Sequence, residues 1–196
     1  MRLLTDIARK RDRITLLAPP SKLPIIYMVL GKLYPRVDVR TEGPGIKIPL
    51  KVMDSARPEI TMPVWLALLF EGSKKIRIGI DPGQRNFGIA ILVGDVLAYT
   101  GTCRNPEDVA GIIRSVINIV DKDVVIIKIG SSTRVPLLIE KLEEMKVKVQ
   151  RIDEKAAKDR IIIGDFSSMH RGRLARHEID AIKIALYPEE LFKGYH

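Results

Sequence analysis

The chain has 196 residues, of which 46% are hydrophobic and 29% are charged. This size and composition fit one or two folded domains and exclude an intrinsically disordered chain. No apolar run approaches the roughly eighteen residues of a membrane-spanning helix, and charges interrupt the first residues where a secretory signal is apolar. We therefore expect a cytoplasmic protein with no membrane partner. A single cysteine, Cys103, excludes an intramolecular disulfide and a cysteine-based zinc site.

The net charge of +9 and the pI near 9.7 favour a polyanionic partner, and nucleic acid is the simplest one. The excess of Lys and Arg is spread over the chain rather than concentrated in one tail. A chain rich in Ile, Val and mixed charge is also typical of thermophilic proteins, many of which bind no nucleic acid. The charge therefore indicates a class of partner without assigning a site.

The first part of the chain predicts a small α+β domain over residues 1–73. Its pattern gives a strand over residues 14–18, a helix over 23–34, a hairpin of strands over 37–41 and 46–52, and a helix capped by Thr61 with its apolar body over 64–70. Trp65 in this helix is favoured as a core anchor over a base-stacking platform. Residues 72–75, Gly-Ser-Lys-Lys, predict a linker and the domain boundary.

The remaining residues, 74–196, predict an α/β domain. Strands over residues 76–81, 87–93 and 96–101 are joined by very short turns, so they pair antiparallel. They are followed by a helix over residues 106–120, an almost continuously apolar strand over 123–129, a helix over 133–146, a strand over 147–152 and a helix over 173–186. This order predicts a five-stranded mixed sheet with flanking helices.

Asp81 is the first candidate for chemistry. It ends a central strand, on the same face as Gly79, where an acid has no packing role. The alternative is that Asp81 caps the Asp-Pro-Gly turn, which Asp does well. A second acid supports the functional interpretation, because His177 and Asp180 lie three residues apart on the face of the last helix that continues into its apolar side. A half-buried carboxylate at that junction requires a metal ion or a cationic partner.

These residues resemble a known family. The segment Gly-Ile-Asp-Pro-Gly at residues 79–83, which opens a β-meander, and the helix segment His-x-x-Asp-Ala at residues 177–181 are similar to the RuvC-like Holliday-junction resolvases and their YqgF relatives, over about residues 75–187. The resemblance implies a ribonuclease H-like fold that cuts nucleic acid with two divalent ions, Mg²⁺ or Mn²⁺. It also implies that Asp81 and Asp180 are the metal ligands and that His177 is their catalytic neighbour.

One position departs from the family pattern. The family's second acid lies near the end of the fourth strand, where this chain has Lys128. A lysine there can pair with Asp81 and Asp180, and it repels Mg²⁺, so Lys128 predicts weak, altered or absent nuclease activity. Asp153, at the end of the fifth strand, and Asp165, in the following loop, are alternative replacements for the missing acid.

Four arginines are candidate nucleic-acid contacts: Arg85 in the loop after Asp81, and Arg171, Arg173 and Arg176 at the entry to the last helix. A solvated basic start of that helix is the alternative for the last three.

The sequence leaves three functions open. The first is a metal-dependent nuclease that acts on structured nucleic acid, with Holliday junctions as the candidate substrate and DNA repair and recombination as the setting. The second is a non-catalytic nucleic-acid-binding protein on a degenerate nuclease fold. The third is an assembly subunit whose N-terminal domain binds a replication or repair protein. The nucleic-acid partner is a DNA junction or a structured RNA, and a homodimer follows only by analogy with the resolvases.

Overall fold

The structure is a computed structural model, and it describes residues 1–4, 13–31, 37–72, 75–131, 135–161 and 174–188. The chain has an α/β architecture with two compact units. One consists of residues 1–76, 92–99 and 111–124, and the other of residues 77–91, 100–110 and 125–196. The predicted boundary residues 73 and 74 lie outside the described residues, so the division into domains 1–73 and 74–196 stays a prediction. None of the described helices is long and apolar enough to cross a membrane.

A six-stranded sheet organises the described residues. Its strands are β1 (Arg2–Leu3), β5 (Ile76–Pro82), β6 (Phe87–Val93), β7 (Val96–Cys103), β8 (Val125–Gly130) and β9 (Lys148–Ile152), in the order β1-β7-β6-β5-β8-β9. β8 and β9 are parallel, with Ile126 opposite Lys148 and Gly130 opposite Ile152. The flanking helices are α4 (Pro106–Ile117), α5 (Val135–Glu144), α6 (Glu154–Arg160) and α7 (Arg176–Leu186), and a short 3-10 helix (Lys122–Val124) precedes β8. The predicted α/β class with a mixed sheet and flanking helices is confirmed.

The predicted number of five strands is wrong, because the start of the chain adds a sixth. β1 pairs in parallel with β7, with Arg2 opposite Val96. Leu3 and Leu4 are buried, and the Arg2 guanidinium donates hydrogen bonds to both carboxylate oxygens of Glu71, at 2.7 and 2.6 Å. A strand of two residues has no period that a sequence pattern can reveal.

Two strands of the sheet are buried along their whole length. All seven residues of β6 and all six of β8 are buried. The continuous apolar run predicted to be a strand covered on both faces is therefore confirmed, with β8 beginning at Val125 after the short 3-10 helix. Helix α6 was not predicted, because its seven residues are too polar and too few to show a helical period.

A smaller sheet lies in the first unit, and it corrects the predicted hairpin. β3 (Val37–Arg40) and β4 (Ile46–Lys47) both pair in parallel with β2 (Ile14–Leu17), one on each side. The intervening segment therefore crosses the end of β2 instead of turning back. A Cβ atom at Gly45 would lie 2.9 Å from the backbone oxygen of Thr15 and 3.0 Å from Cγ of Leu17, so glycine allows this close crossing.

The helices of the first unit begin at prolines or next to them. After a 3-10 turn (Pro20–Lys22), α1 (Leu23–Ile26) continues into a π-helical turn (Tyr27–Gly31), which covers the described part of the predicted helix. α2 (Leu50–Met53) follows Pro49 and replaces the last three residues of the second predicted strand. α3 (Pro58–Glu71) begins three residues before Thr61, so the predicted cap is wrong. Thr61 is instead buried, and its hydroxyl donates to the carbonyls of Val52 and Arg57 at 3.3 Å.

Candidate functional site

Helix α7 lies directly against β5 and β6 at two glycines. A Cβ atom at Gly79 would collide with the backbone oxygen of Ala181, and one at Gly88 would collide with the backbone of His177. The missing side chains therefore let the helix backbone reach the sheet. This contact places the polar start of α7 beside the end of β5, where Asp81 lies.

Asp81 and His177 are in direct contact. Asp81 is 3% exposed, and one of its carboxylate oxygens, Oδ2, lies 2.6 Å from Nδ1 of His177. The imidazole packs against the loop after β5, since a Cβ atom at Gly83 would collide with the imidazole ring. The structure therefore brings together the first-strand acid and the helix histidine that the sequence singled out. The turn-capping alternative for Asp81 does not account for this contact.

Lys158 of α6 links Asp81 to the second predicted acid. Its ammonium lies 3.1 Å from Oδ2 of Asp180 and 4.0 Å from Oδ1 of Asp81. Asp180 is 7% exposed, so both carboxylates are withdrawn from water and need a positive neighbour. Lys158 supplies that charge from a helix that the sequence pattern did not reveal.

Glu154, one turn before Lys158, adds a third carboxylate. Its Oε2 lies 3.5 Å from the Lys158 ammonium. Its side chain occupies the space above Gly130 at the end of β8, where a Cβ atom would lie 2.6 Å from both Cγ and Oε1 of Glu154. An acidic side chain therefore lies at the end of β8, the strand in which the family's second acid was expected, but this acid belongs to α6, the helix that follows β9.

Asp81, Glu154, Lys158, His177 and Asp180 together form an acidic cluster. Its electrostatics shift the pKa values of two members, Glu154 and Lys158. Burial raises the pKa of Glu154, and the negative charges of Asp81 and Asp180 raise it further against the opposing effect of Lys158. Burial lowers the pKa of Lys158, but its hydrogen bond to Asp180 and the charges of Asp180, Asp81 and Glu154 outweigh burial. The pKa of Lys158 therefore lies above its ordinary value, and the lysine remains a cation.

Lys128 lies at the other end of α7. It is 1% exposed, and its ammonium donates to the backbone carbonyls of Ala185, at 3.4 Å, and of Tyr187. These are the carbonyls at the end of the helix, which lack partners within it and attract a cation. The ion pairs described for Asp81 and Asp180 are with Lys158, the lysine that the sequence did not indicate.

The other predicted residues are placed as follows. Asp153 is the N-cap of α6 and accepts from the backbone N–H groups of Lys155 and Ala156 at 2.9 and 3.2 Å, so its carboxylate serves the helix and not the cluster. Arg85 and Arg176 are exposed, in the loop after β5 and at the first residue of α7. Asp165, Arg171 and Arg173 lie outside the described residues.

Sequence reasoning missed Glu154 and Lys158. The signal present was local: Asp153 is a good N-cap, and a Glu followed four residues later by a Lys is favourable on a helix. These features predict a short helix after β9. They do not predict that its side chains reach Asp81, because that depends on how α6 and α7 pack.

No family model matches the chain. No curated protein sequence matches it either. Among solved structures, the chain is similar to a protein from Bacteroides thetaiotaomicron VPI-5482 that is described as having an actin-like ATPase fold and unknown function. The TM-score is 0.35 and the sequence identity is 11%, and the similarity covers 64% of this chain and 45% of that one. At these values the similarity assigns no activity.

The donor set does not fit the two-metal centre that the resemblance implies. Across the described ranges, no group of three or more His, Cys, Asp and Glu side chains is arranged so that it can hold a metal ion. The Lys158 ammonium lies between Asp81 and Asp180, the two acids that the resemblance assigns to the metal. What the arrangement provides is a partly neutralised acidic cluster with a histidine at its edge.

Proposed function

We propose that this chain is a non-cleaving nucleic-acid-binding protein on a ribonuclease H-like scaffold, in which Lys158 takes the place of a metal ion. The observation that carries the proposal is the Lys158 ammonium between the carboxylates of Asp81 and Asp180. The strand order β7-β6-β5-β8-β9, with one acid on the central strand and one on the last helix, supports the scaffold.

The cluster itself is negatively charged, so nucleic acid has to be bound by residues around it. Three carboxylates and one ammonium leave a net charge of about −2, without counting His177, and this charge opposes the approach of a phosphate. Lys158 reduces this repulsion without a metal ion. Phosphate contacts must then come from cations beside the cluster.

Arg85 and Arg176 are those cations. Gly83 lies against the His177 ring, so the loop that carries Arg85 and the start of α7 that carries Arg176 meet beside Asp81. Both side chains are exposed. Two arginines on adjacent segments can contact successive phosphates of a folded strand, and the overall charge of +9 favours the encounter.

The test is a salt titration of binding, with fluorescence anisotropy, to a four-way DNA junction and to a structured RNA, in EDTA and in Mg²⁺. The proposal predicts binding in EDTA, with equal affinity in Mg²⁺ at matched ionic strength. Replacing both Arg85 and Arg176 by Ala should reduce the slope of log K against log salt by about 1.8, at about 0.9 per lost phosphate contact. Lys148→Ala is the control, because Lys148 is exposed and begins β9 at the end away from Glu154.

Two results would contradict the proposal. One is the absence of salt-dependent binding to any structured nucleic acid. The other is cleavage in Mg²⁺ or Mn²⁺ that disappears in Asp81→Asn and Asp180→Asn.

A metal-dependent nuclease is the second candidate, and the position of Glu154 favours it. Glu154 restores a third carboxylate at the end of β8, so the acids of a cleavage site are gathered around Lys158. This candidate requires Lys158 to leave the cluster when substrate binds. It predicts cleavage by the wild-type chain that needs Glu154 as well as both aspartates. The homodimer and the replication or repair partner remain predictions.

A further inference from the structure

The first unit contains a cavity of about 430 Å³ between α2, the turn after it and α4. Its polar lining includes Lys51, Asp54, Ser55, Arg57, Arg114 and Asn118. None of these residues takes part in the cluster around Lys158. The cavity is therefore a second polar site that the proposed function does not use.

The charges around this cavity are unbalanced. Lys51, Arg57 and Arg114 contribute three positive charges, and Asp54 contributes one negative charge. Asp54 already forms an ion pair with Lys22, at 2.5 Å, and Lys22 does not line the cavity. The lining residues themselves therefore carry two more positive than negative charges, which favours an anion.

Arg57 places its guanidinium at the wall of the cavity, next to Gly111 of α4. Its N–H donates to the Ser55 hydroxyl at 3.2 Å, and its carbonyl accepts from Thr61. Its guanidinium lies on α4 at Gly111, where a Cβ atom would be 3.4 Å from Nη2 and 3.6 Å from Nε. The guanidinium, a planar group of N–H donors, therefore lies close to the backbone of α4 at the cavity wall.

We propose that this cavity binds a phosphate group, carried by a free nucleotide or by a nucleic-acid backbone. Arg57 and Arg114, which come from different elements, would bind the phosphate with charge-assisted hydrogen bonds. Ser55 and Asn118 offer uncharged polar groups beside them. The volume of the cavity exceeds that of inorganic phosphate and leaves room for an attached sugar or a neighbouring phosphodiester.

The experiment measures binding by calorimetry to the wild-type chain, with pyrophosphate, ADP and a single-stranded oligonucleotide without terminal phosphates, each at the same ionic strength in NaCl. Binding of pyrophosphate and ADP indicates a free phosphate or nucleotide as the source. Binding of the oligonucleotide alone indicates the backbone. In either case Arg114→Gln should weaken binding at least tenfold, and Arg57→Gln should do the same.

Arg114 is exposed, so its substitution leaves the fold intact, and thermal unfolding verifies this for both variants. Lys47→Gln is the matched control, because Lys47 is an exposed cation of the same unit that does not line the cavity. The proposal is overturned if none of the three probes binds, or if a folded Arg114→Gln variant binds as the wild type does. Loss of binding to the same degree in Lys47→Gln would overturn it as well, because the effect would then reflect net charge alone.

Discussion

Replacing Lys158 by Ala removes the positive charge on which the cluster depends. The side chains of Asp81 and Asp180 are 4% and 10% exposed, and the side chain of Lys158 is 32% exposed. Removing one partner of a fully buried ion pair costs about 3 to 5 kcal/mol, whereas an exposed pair contributes at most about 1 kcal/mol. With two buried acids and a partly exposed lysine, we expect the variant to lose about 2 to 3 kcal/mol of unfolding free energy. Because the pKa of Lys158 is raised in the folded state, this contribution is complete below pH 10.5 and disappears as the pH rises through the folded pKa.

The same substitution should create a metal site. The described acids and His177 do not form a ready-made metal site, but without the ammonium the carboxylates of Asp81 and Asp180 can turn toward an Mg²⁺ or Mn²⁺ ion that replaces its charge. If the ion binds with a Kd of about 0.1 mM, then 1 mM should restore about 1.4 kcal/mol. The wild-type chain should show no such gain.

The assay is urea unfolding with and without 1 mM Mn²⁺, for the wild type, Lys158→Ala and Lys155→Ala. Lys155 is exposed on the same helix, so its loss should change the stability by less than about 0.5 kcal/mol. The reasoning is refuted if Lys158→Ala is no less stable than Lys155→Ala, or if Mn²⁺ stabilises the wild type as much as the variant.

Three further predictions concern the surroundings of the cluster. Gly79→Ala should destabilise the fold by about 1 to 3 kcal/mol, because the new methyl group collides with the backbone of α7, whereas Gly111→Ala should be nearly neutral in thermal unfolding. Equal effects of the two substitutions would contradict the close contact at β5. Lys128→Met should cost about 1 to 3 kcal/mol in urea unfolding, because it leaves buried carbonyls at the end of α7 without their donor; an unchanged midpoint would exclude this role. Glu154→Gln should gain stability relative to the wild type as the pH rises from about 4.5 through the raised pKa of Glu154, because ionisation of this acid opposes folding. A difference in unfolding free energy that stays constant with pH would contradict the raised pKa.

The sheet around the site could be predicted because its strands carry strong local signals. The apolar run that forms β8 and the short turns around β6 leave few alternatives for their arrangement. The sequence pattern was less informative where a single residue determines the direction of the chain. Alternation in residues 37–52 indicated a hairpin, but Gly45 lets the chain cross β2, and Pro49 begins α2.

The site could be predicted only in part, for a related reason. Asp81 and His177 stand in recognisable segments, and the structure brings their side chains to 2.6 Å from each other. The contact of Lys158 with two acids depends on the packing of α6 against α7, two helices separated by residues that carry no periodic pattern. The role of Lys128 depends likewise on where α7 ends. Tertiary contacts of this kind leave no spacing rule in the sequence.

The most direct test of the central claim is a crystal of the wild-type chain soaked in Mn²⁺ and measured at the manganese absorption edge. The account predicts electron density for the Lys158 side chain between Asp81 and Asp180 and no anomalous peak there, with a peak at the same place in Lys158→Ala. An anomalous peak between the two aspartates of the wild type, with Lys158 turned away, would contradict it.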